Sequence, residues 1–141
     1  MRITKTELIC IGILLVVCCV SAYFYPQMPE QMATHWNGHG QVDDYTPKLL
    51  GILMIPAVLT VFIIVVIVVP RVASVWANIE GFRKLFGSLL VLMSVFMSLA
   101  QYQMILWNLG IKINPMIVIL PMTAAIIIWV VLRFYRARRQ N

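Results

Sequence analysis

The chain has 141 residues, of which 62% are hydrophobic and 11% charged, with mean hydropathy +0.91 and a formal net charge of +6. A soluble domain carries about 25% charged residues, so this chain lacks the polar surface to coat a globule in water. Lipid is the solvent its composition fits, and the basic excess must be read by position before it is read as a nucleic-acid signal.

A helix crossing the hydrocarbon core needs about 20 mostly apolar residues. Four stretches qualify: residues 8–25, 49–69, 86–109 and 116–134. None shows the alternation of a membrane strand. The expected fold is an all-α membrane protein: one integral membrane domain, 1–141, built as a four-helix transmembrane bundle. Its connections are an outer loop or hairpin at 26–48, a cytoplasmic loop at 70–85 and a basic tail at 135–141.

The first span opens with "MRITKTELICIGILLVVCCVSA", which has the basic start and apolar middle of a signal peptide, with Val20-Ser21-Ala22 as a cleavage site. The apolar run continues through Tyr23, Phe24 and Tyr25, a full span, so an uncleaved anchor is the expectation. Cys10, Cys18 and Cys19 all lie in this run without metal-ligand spacing, and read as packing residues.

After it comes "MPEQMATHWNGHGQVDDYTPK", residues 28–48, with both histidines and three of the five acids. Pro26 and Pro29 end the first helix. Asn37-Gly38 and Gly40 supply turn chemistry, so residues 34–36 and 41–43 form a short hairpin. With Trp36 opposite Gln41, His35 faces Val42, and Trp36 shares a face with Thr34, Asp43 and Tyr45. His35, His39, Asp43 and Asp44 have the donor types of a zinc site. Their spacing does not support one, because glycines interrupt the only helical register between the histidines. Neither a metal, a cofactor nor a catalytic residue is expected. The island reads instead as a folded recognition cap.

Pro56 and Pro121 fall inside the second and fourth spans, where each removes a backbone donor. Between spans two and three, Val72, Val75, Trp76, Ile79, Phe82 and Phe86 recur at helical spacing. That pattern predicts an amphipathic helix at the membrane surface or an extension of span three. In the third span, Gly87, Val91, Ser94, Ser98, Gln101, Ile105 and Asn108 recur at steps of four and three. Gly87, Ser94, Ser98, Gln101 and Asn108 thus form a small or polar stripe that should face other helices. No ionisable side chain sits well inside a span, so an ion relay has no carrier.

Nine basic residues flank one side: Arg2, Lys5, Arg71, Arg83, Lys84, Arg133, Arg136, Arg138 and Arg139. Lys48 and Lys112 flank the other. The asymmetry predicts a multi-pass protein of the cell membrane with both termini in the cytoplasm and the cap outside. The net charge is then a topology signal, and nucleic acid is not an expected partner.

The order YP-x-MPE, four residues, HWN-x-x-G-x-VD-x-Y-x-x-K, followed at once by a span, resembles the N-terminal membrane domain of the SdpI immunity protein family. Pro29, His35, Trp36, Asn37, Gly40, Asp43, Tyr45 and Lys48 carry the match, and Asn78 falls in a similar cytoplasmic loop. Ala33 stands where a second proline is common, Thr46-Pro47 replaces a small pair, and His39 matches no family position. Longer members add a further pair of spans; this sequence stops at "RFYRARRQN" and looks like a short four-span version. The resemblance implies toxin immunity or signalling, with a secreted peptide toxin or other extracellular ligand bound by residues 26–48. A structural subunit or assembly factor of a larger membrane complex is the alternative, and a second copy of the chain or another membrane protein is then its partner beside the lipid bilayer. A metal-dependent membrane enzyme is the second alternative.

Overall fold

A computed structural model describes residues 3–72 and 80–139. Four of its helices are long and apolar enough to cross a membrane: α1 (Lys5–Phe24), α2 (Lys48–Val72), α3 (Glu80–Asn108) and α4 (Met116–Arg139). The protein is a helical membrane protein, and its sole sheet among the described residues is the hairpin β1 (Gln31–Trp36) and β2 (Val42–Pro47).

The helix ends follow local chemistry. The Thr4 hydroxyl accepts from the Glu7 amide and the Glu7 carboxylate accepts from the Thr4 amide, a reciprocal cap that starts α1 three residues before its apolar run. Pro26 then converts the chain to a short 3-10 turn, Tyr25–Gln27. Just past the end of α3, Gly110 has φ 96°, which allows the Ile111 amide to reach back to the Leu106 carbonyl. Asn114 opens α4: its side-chain oxygen accepts from the Met116 amide. α4 runs on to Arg139, taking in most of the expected basic tail. Of the expected cytoplasmic segment, 70–72 close α2 and 80–85 open α3. Val75, Trp76, Asn78 and Ile79, like Arg2, lie outside the described residues.

Helices α1, α2 and α3 pack on one another, with α1 and α3 running the same way. Gly87 lies beside Thr6 at one end, and Gln101 bonds Ser21 toward the other. Cys10, Val17, Leu59, Ile63 and Leu90 fill the middle. Met28, Met32, Ile52, Met104 and Ile105 fill the hairpin end. Among the described residues α4 touches α3 alone, and none of its span is buried, against 39% of the α3 span.

The hairpin register differs from the expected one. Trp36 pairs with Val42, not Gln41, and His35 pairs with Asp44, not Val42. The pairing slips between Ala33 and His35 and again between His35 and Trp36, leaving Thr34 and Asp43 as extra residues on opposite strands. Such bulges re-aim side chains. As a result Trp36 is half-buried while Asp43 and Tyr45 stay exposed, so they do not share its environment.

Candidate functional site

The cap is assembled from the turn outward. The Asn37 side-chain oxygen accepts from the amides of His39 and Gln41, and the Asn37 amide donates to the Gln41 carbonyl. One side chain thereby organises the whole connection, as asparagine does in turns. Gly40 closes it at φ 76°, where a Cβ would sit 2.5 Å from the Asn114 side-chain oxygen. Only glycine serves there: the backbone is left-handed and the α3–α4 connection presses against it.

Asn108, at the last turn of α3, ties the hairpin to the bundle. Its side-chain oxygen accepts from the Ala33 amide at 2.9 Å, and its nitrogen donates to the Ala33 carbonyl at 3.0 Å. The carboxamide thus pairs with β1 as a neighbouring strand would, and it also donates to the Met104 carbonyl. Trp36 lies edge-on to Trp107, centroids 5.6 Å apart. Gly51, at the start of α2, lets Met32 and Thr34 pack against the helix. A two-stranded hairpin is marginal alone; here Met32 and Ala33 are buried against helix ends.

The opposite surface stays open. His35 Nδ1 lies 2.6 Å from an Asp43 carboxylate oxygen, with the two side chains 68% and 42% exposed. Asp44 accepts from the Tyr45 amide, and the Tyr45 ring is exposed. His39 is exposed, and Pro29 leads into the strand. Lys48 Nζ sits over the Tyr25 ring and 3.8 Å from Glu30. With its Glu30 partner in solvent, this long ion pair contributes at most about 1 kcal/mol. So of the motif residues, Asn37 and Gly40 shape the turn and Trp36 anchors it. His35, Asp43 and Tyr45 face out. The described residues contain no group of three His, Cys, Asp or Glu able to hold a metal ion. His35 and Asp43 meet, but His39 and Asp44 do not complete a set.

Beneath the cap lies a buried polar junction. Pro56 has no amide hydrogen, so the Ile52 carbonyl one turn earlier has no intrahelical donor. The Gln101 side-chain nitrogen supplies the donor at 3.1 Å, and it also donates to the Ser21 hydroxyl at 2.9 Å. Gln101 therefore links α1, α2 and α3 at the turn of α2 that Pro56 leaves without a donor. Ser94 and Ser98 are also buried, but their hydroxyls bond back to the carbonyls of Leu90 and Ser94 in their own helix. The buried polar stripe is thus mixed: Gln101 joins three helices, Ser94 also hydrogen-bonds the Cys10 side chain of α1, and Ser98 supplies small volume. Gly87 lies against Thr6, and Asn108 reaches the cap.

Some contributors escaped the sequence reading. Asn114 and Trp107 both meet the hairpin, and Lys112 lies over Trp107 and donates to its carbonyl. Asn114-Pro115 ahead of an apolar run is a helix-start signal that marks the first of these. Trp107 carries no such mark.

Residues 12–60 are similar to a domain family of unknown function, DUF1648. The matched stretch takes in most of α1, the whole hairpin and the first half of α2. No curated protein and no solved structure matches the chain.

Proposed function

We propose that this membrane protein recognises an extracellular peptide or other ligand through residues 26–48, as an immunity or signalling protein of the SdpI type. In this reading the cap faces outward and both termini lie in the cytoplasm of a cell-membrane protein, the arrangement favoured by the basic flanks. The observation that carries it is the division of the cap into two sides. Asn108 and Trp107 hold one side to the bundle, while His35, Asp43, Asp44 and Tyr45 are left exposed on the strands of a pre-organised hairpin. Conserving order before binding favours affinity, since less freedom remains to be lost. No covalent chemistry is required of such a site.

The test is survival of cells with and without the gene under challenge by a sporulation-delaying-type toxin. Protection by the intact protein that is lost with His35→Ala is the expected result. Equal killing of both cell types removes the immunity reading. A second reading, a structural subunit of a larger membrane complex, is favoured by α4, whose span has no buried residue. Purification in mild detergent with a stoichiometric unrelated partner would select it.

A further inference from the structure

We propose that the outer edge of β2 is a strand-addition port for a cationic, extended peptide. This rests on the recognition reading above and specifies its mode and ligand chemistry.

The hydrogen-bond register shows which backbone groups are available. The Lys48 amide donates to the Glu30 carbonyl, so that pair belongs to the ladder. Alternation then makes Ala33 and Tyr45, which oppose each other, a pair whose amides and carbonyls turn away from the ladder on both sides. On the β1 side those groups are already taken, because Asn108 bonds both the amide and the carbonyl of Ala33. On the β2 side nothing comparable stands. Among the described helices and strands β2 touches only β1 and the helix it leads into. The Tyr45 amide there is held by the side chain of its own neighbour, Asp44, at 2.8 Å. Two edges of one hairpin thus carry the same backbone pattern, one filled by a strand-like carboxamide and one open.

Charge selects the occupant. Asp43 and Asp44 are exposed on β2, Asp43 bonded to His35 across the hairpin and Asp44 only to the Tyr45 amide, and no cation lies on that strand. Lys48, just beyond it, is turned toward Glu30 and the Tyr25 ring, with only 16% of its side chain exposed. Two copies meeting edge to edge would bring four carboxylates together, a repulsion that disfavours self-pairing. An incoming peptide carbonyl replaces Asp44 as acceptor for the Tyr45 amide and frees that carboxylate to pair with a lysine or arginine. Pro47 has no amide hydrogen, so pairing stops there. Strand addition of this kind takes affinity from backbone bonds and specificity from alternate side chains.

The experiment uses the full chain in neutral phosphatidylcholine nanodiscs and a fluorescent peptide of alternating lysine and valine, read by anisotropy. Comparison probes are the glutamate–valine peptide and the lysine–valine peptide N-methylated at its pairing amides. Saturable binding of the lysine–valine peptide is expected, weaker by about tenfold, equivalent to about 1.4 kcal/mol, for either comparison probe. Tyr45→Pro should weaken it by a similar factor, since the amide it removes is outside the ladder. The N-methylated peptide leaves the protein untouched, so the result does not hang on that variant folding. Equal binding of the methylated and unmethylated peptides, with Tyr45→Pro unaffected, would mean side-chain recognition: the port is overturned and the recognising cap stands. Absence of saturable binding by the lysine–valine peptide also overturns the port, and the toxin challenge then decides the cap by itself.

Discussion

Helices α3 and α4 are adjacent in the chain, and both are apolar enough to span a membrane, yet they behave oppositely. The α3 span has the lower hydropathy, 1.8 against 2.4, and is the most buried of the four, while the α4 span has no buried residue. In water that order would be inverted. In lipid an apolar side chain gains little by leaving the tails for another helix, and association comes from close packing and interhelical hydrogen bonds. α3 carries Ser94, Ser98, Gln101 and Asn108 on one side; α4 offers Thr123, Ala124 and Ala125 in mid-span, all exposed. Hydropathy therefore identifies what crosses the bilayer, and polar or small residues identify what packs within it.

The sharpest way to break this contrast is at Gln101. Gln101→Leu leaves the Ile52 carbonyl buried without a donor and removes the bond to Ser21. The variant thus strips a donor from both the Ile52 carbonyl and the Ser21 hydroxyl, and it removes the already unpartnered Gln101 Oε1. A buried unpaired polar group costs about 1–3 kcal/mol, so a net loss of about 2 kcal/mol is expected in reversible SDS unfolding followed by circular dichroism. Pro56→Ala restores the amide hydrogen that Ile52 lacks. In that background the Gln101→Leu cost should shrink by about 1 kcal/mol, a coupling that a double-mutant cycle reads directly. Strictly additive effects would show that the glutamine and the proline are energetically unrelated.

A smaller and more local effect is expected at Asn108. Asn108→Leu removes both bonds to Ala33 and the one to Met104, and frees the hairpin from α3 while the helices stay packed. Hydrogen exchange at the Ala33 amide should accelerate by about tenfold, the equivalent of about 1.4 kcal/mol, with the global unfolding midpoint moving less than for Gln101→Leu. Asn108→Asp keeps the acceptor for the Ala33 amide and loses the donors, so its exchange rate should fall between. An unchanged rate in the leucine variant would show that Trp36 and Met32 hold the cap without help.

The spans were legible because hydrocarbon thickness imposes a minimum run of apolar residues and nothing else in this sequence satisfies it. The existence of the hairpin was also legible, from Pro26, Pro29 and the Asn37-Gly38 turn. Its register was not: Thr34 and Asp43 are extra residues in the pairing, and neither residue type announces a bulge. The site followed the same division. A polar cap could be read from an island of polar residues, but simple alternation puts Asp43 on the Trp36 face, the Asn108–Ala33 clamp spans 75 positions and the Gln101–Ile52 bond 49. Pro56 marks a carbonyl in need of a donor without saying which helix supplies it. Nor did hydropathy separate α4 from α1, whose spans score 2.4 and 2.5.

The smallest expected effect tests the other half of the contrast. Leu120 and Ile127 of α4 are 63% and 58% exposed, so alanine at either position deletes contacts with lipid alone. Each substitution should change unfolding free energy by no more than about 0.5 kcal/mol, as surface changes do. The same change at Leu59, fully buried between α1 and α3, supplies the reference for a packed position. A cost at Leu120 or Ile127 approaching that at Leu59 would mean that another chain covers α4. Cross-linking the same variants would then separate the two origins: a second copy gives a homodimer band that weakens with the substitution, and an unrelated subunit does not. If both substitutions are silent and no band forms, α4 is a lipid-facing helix tethered through the Asn114 turn, and close packing is confined to α1, α2, α3 and the hairpin.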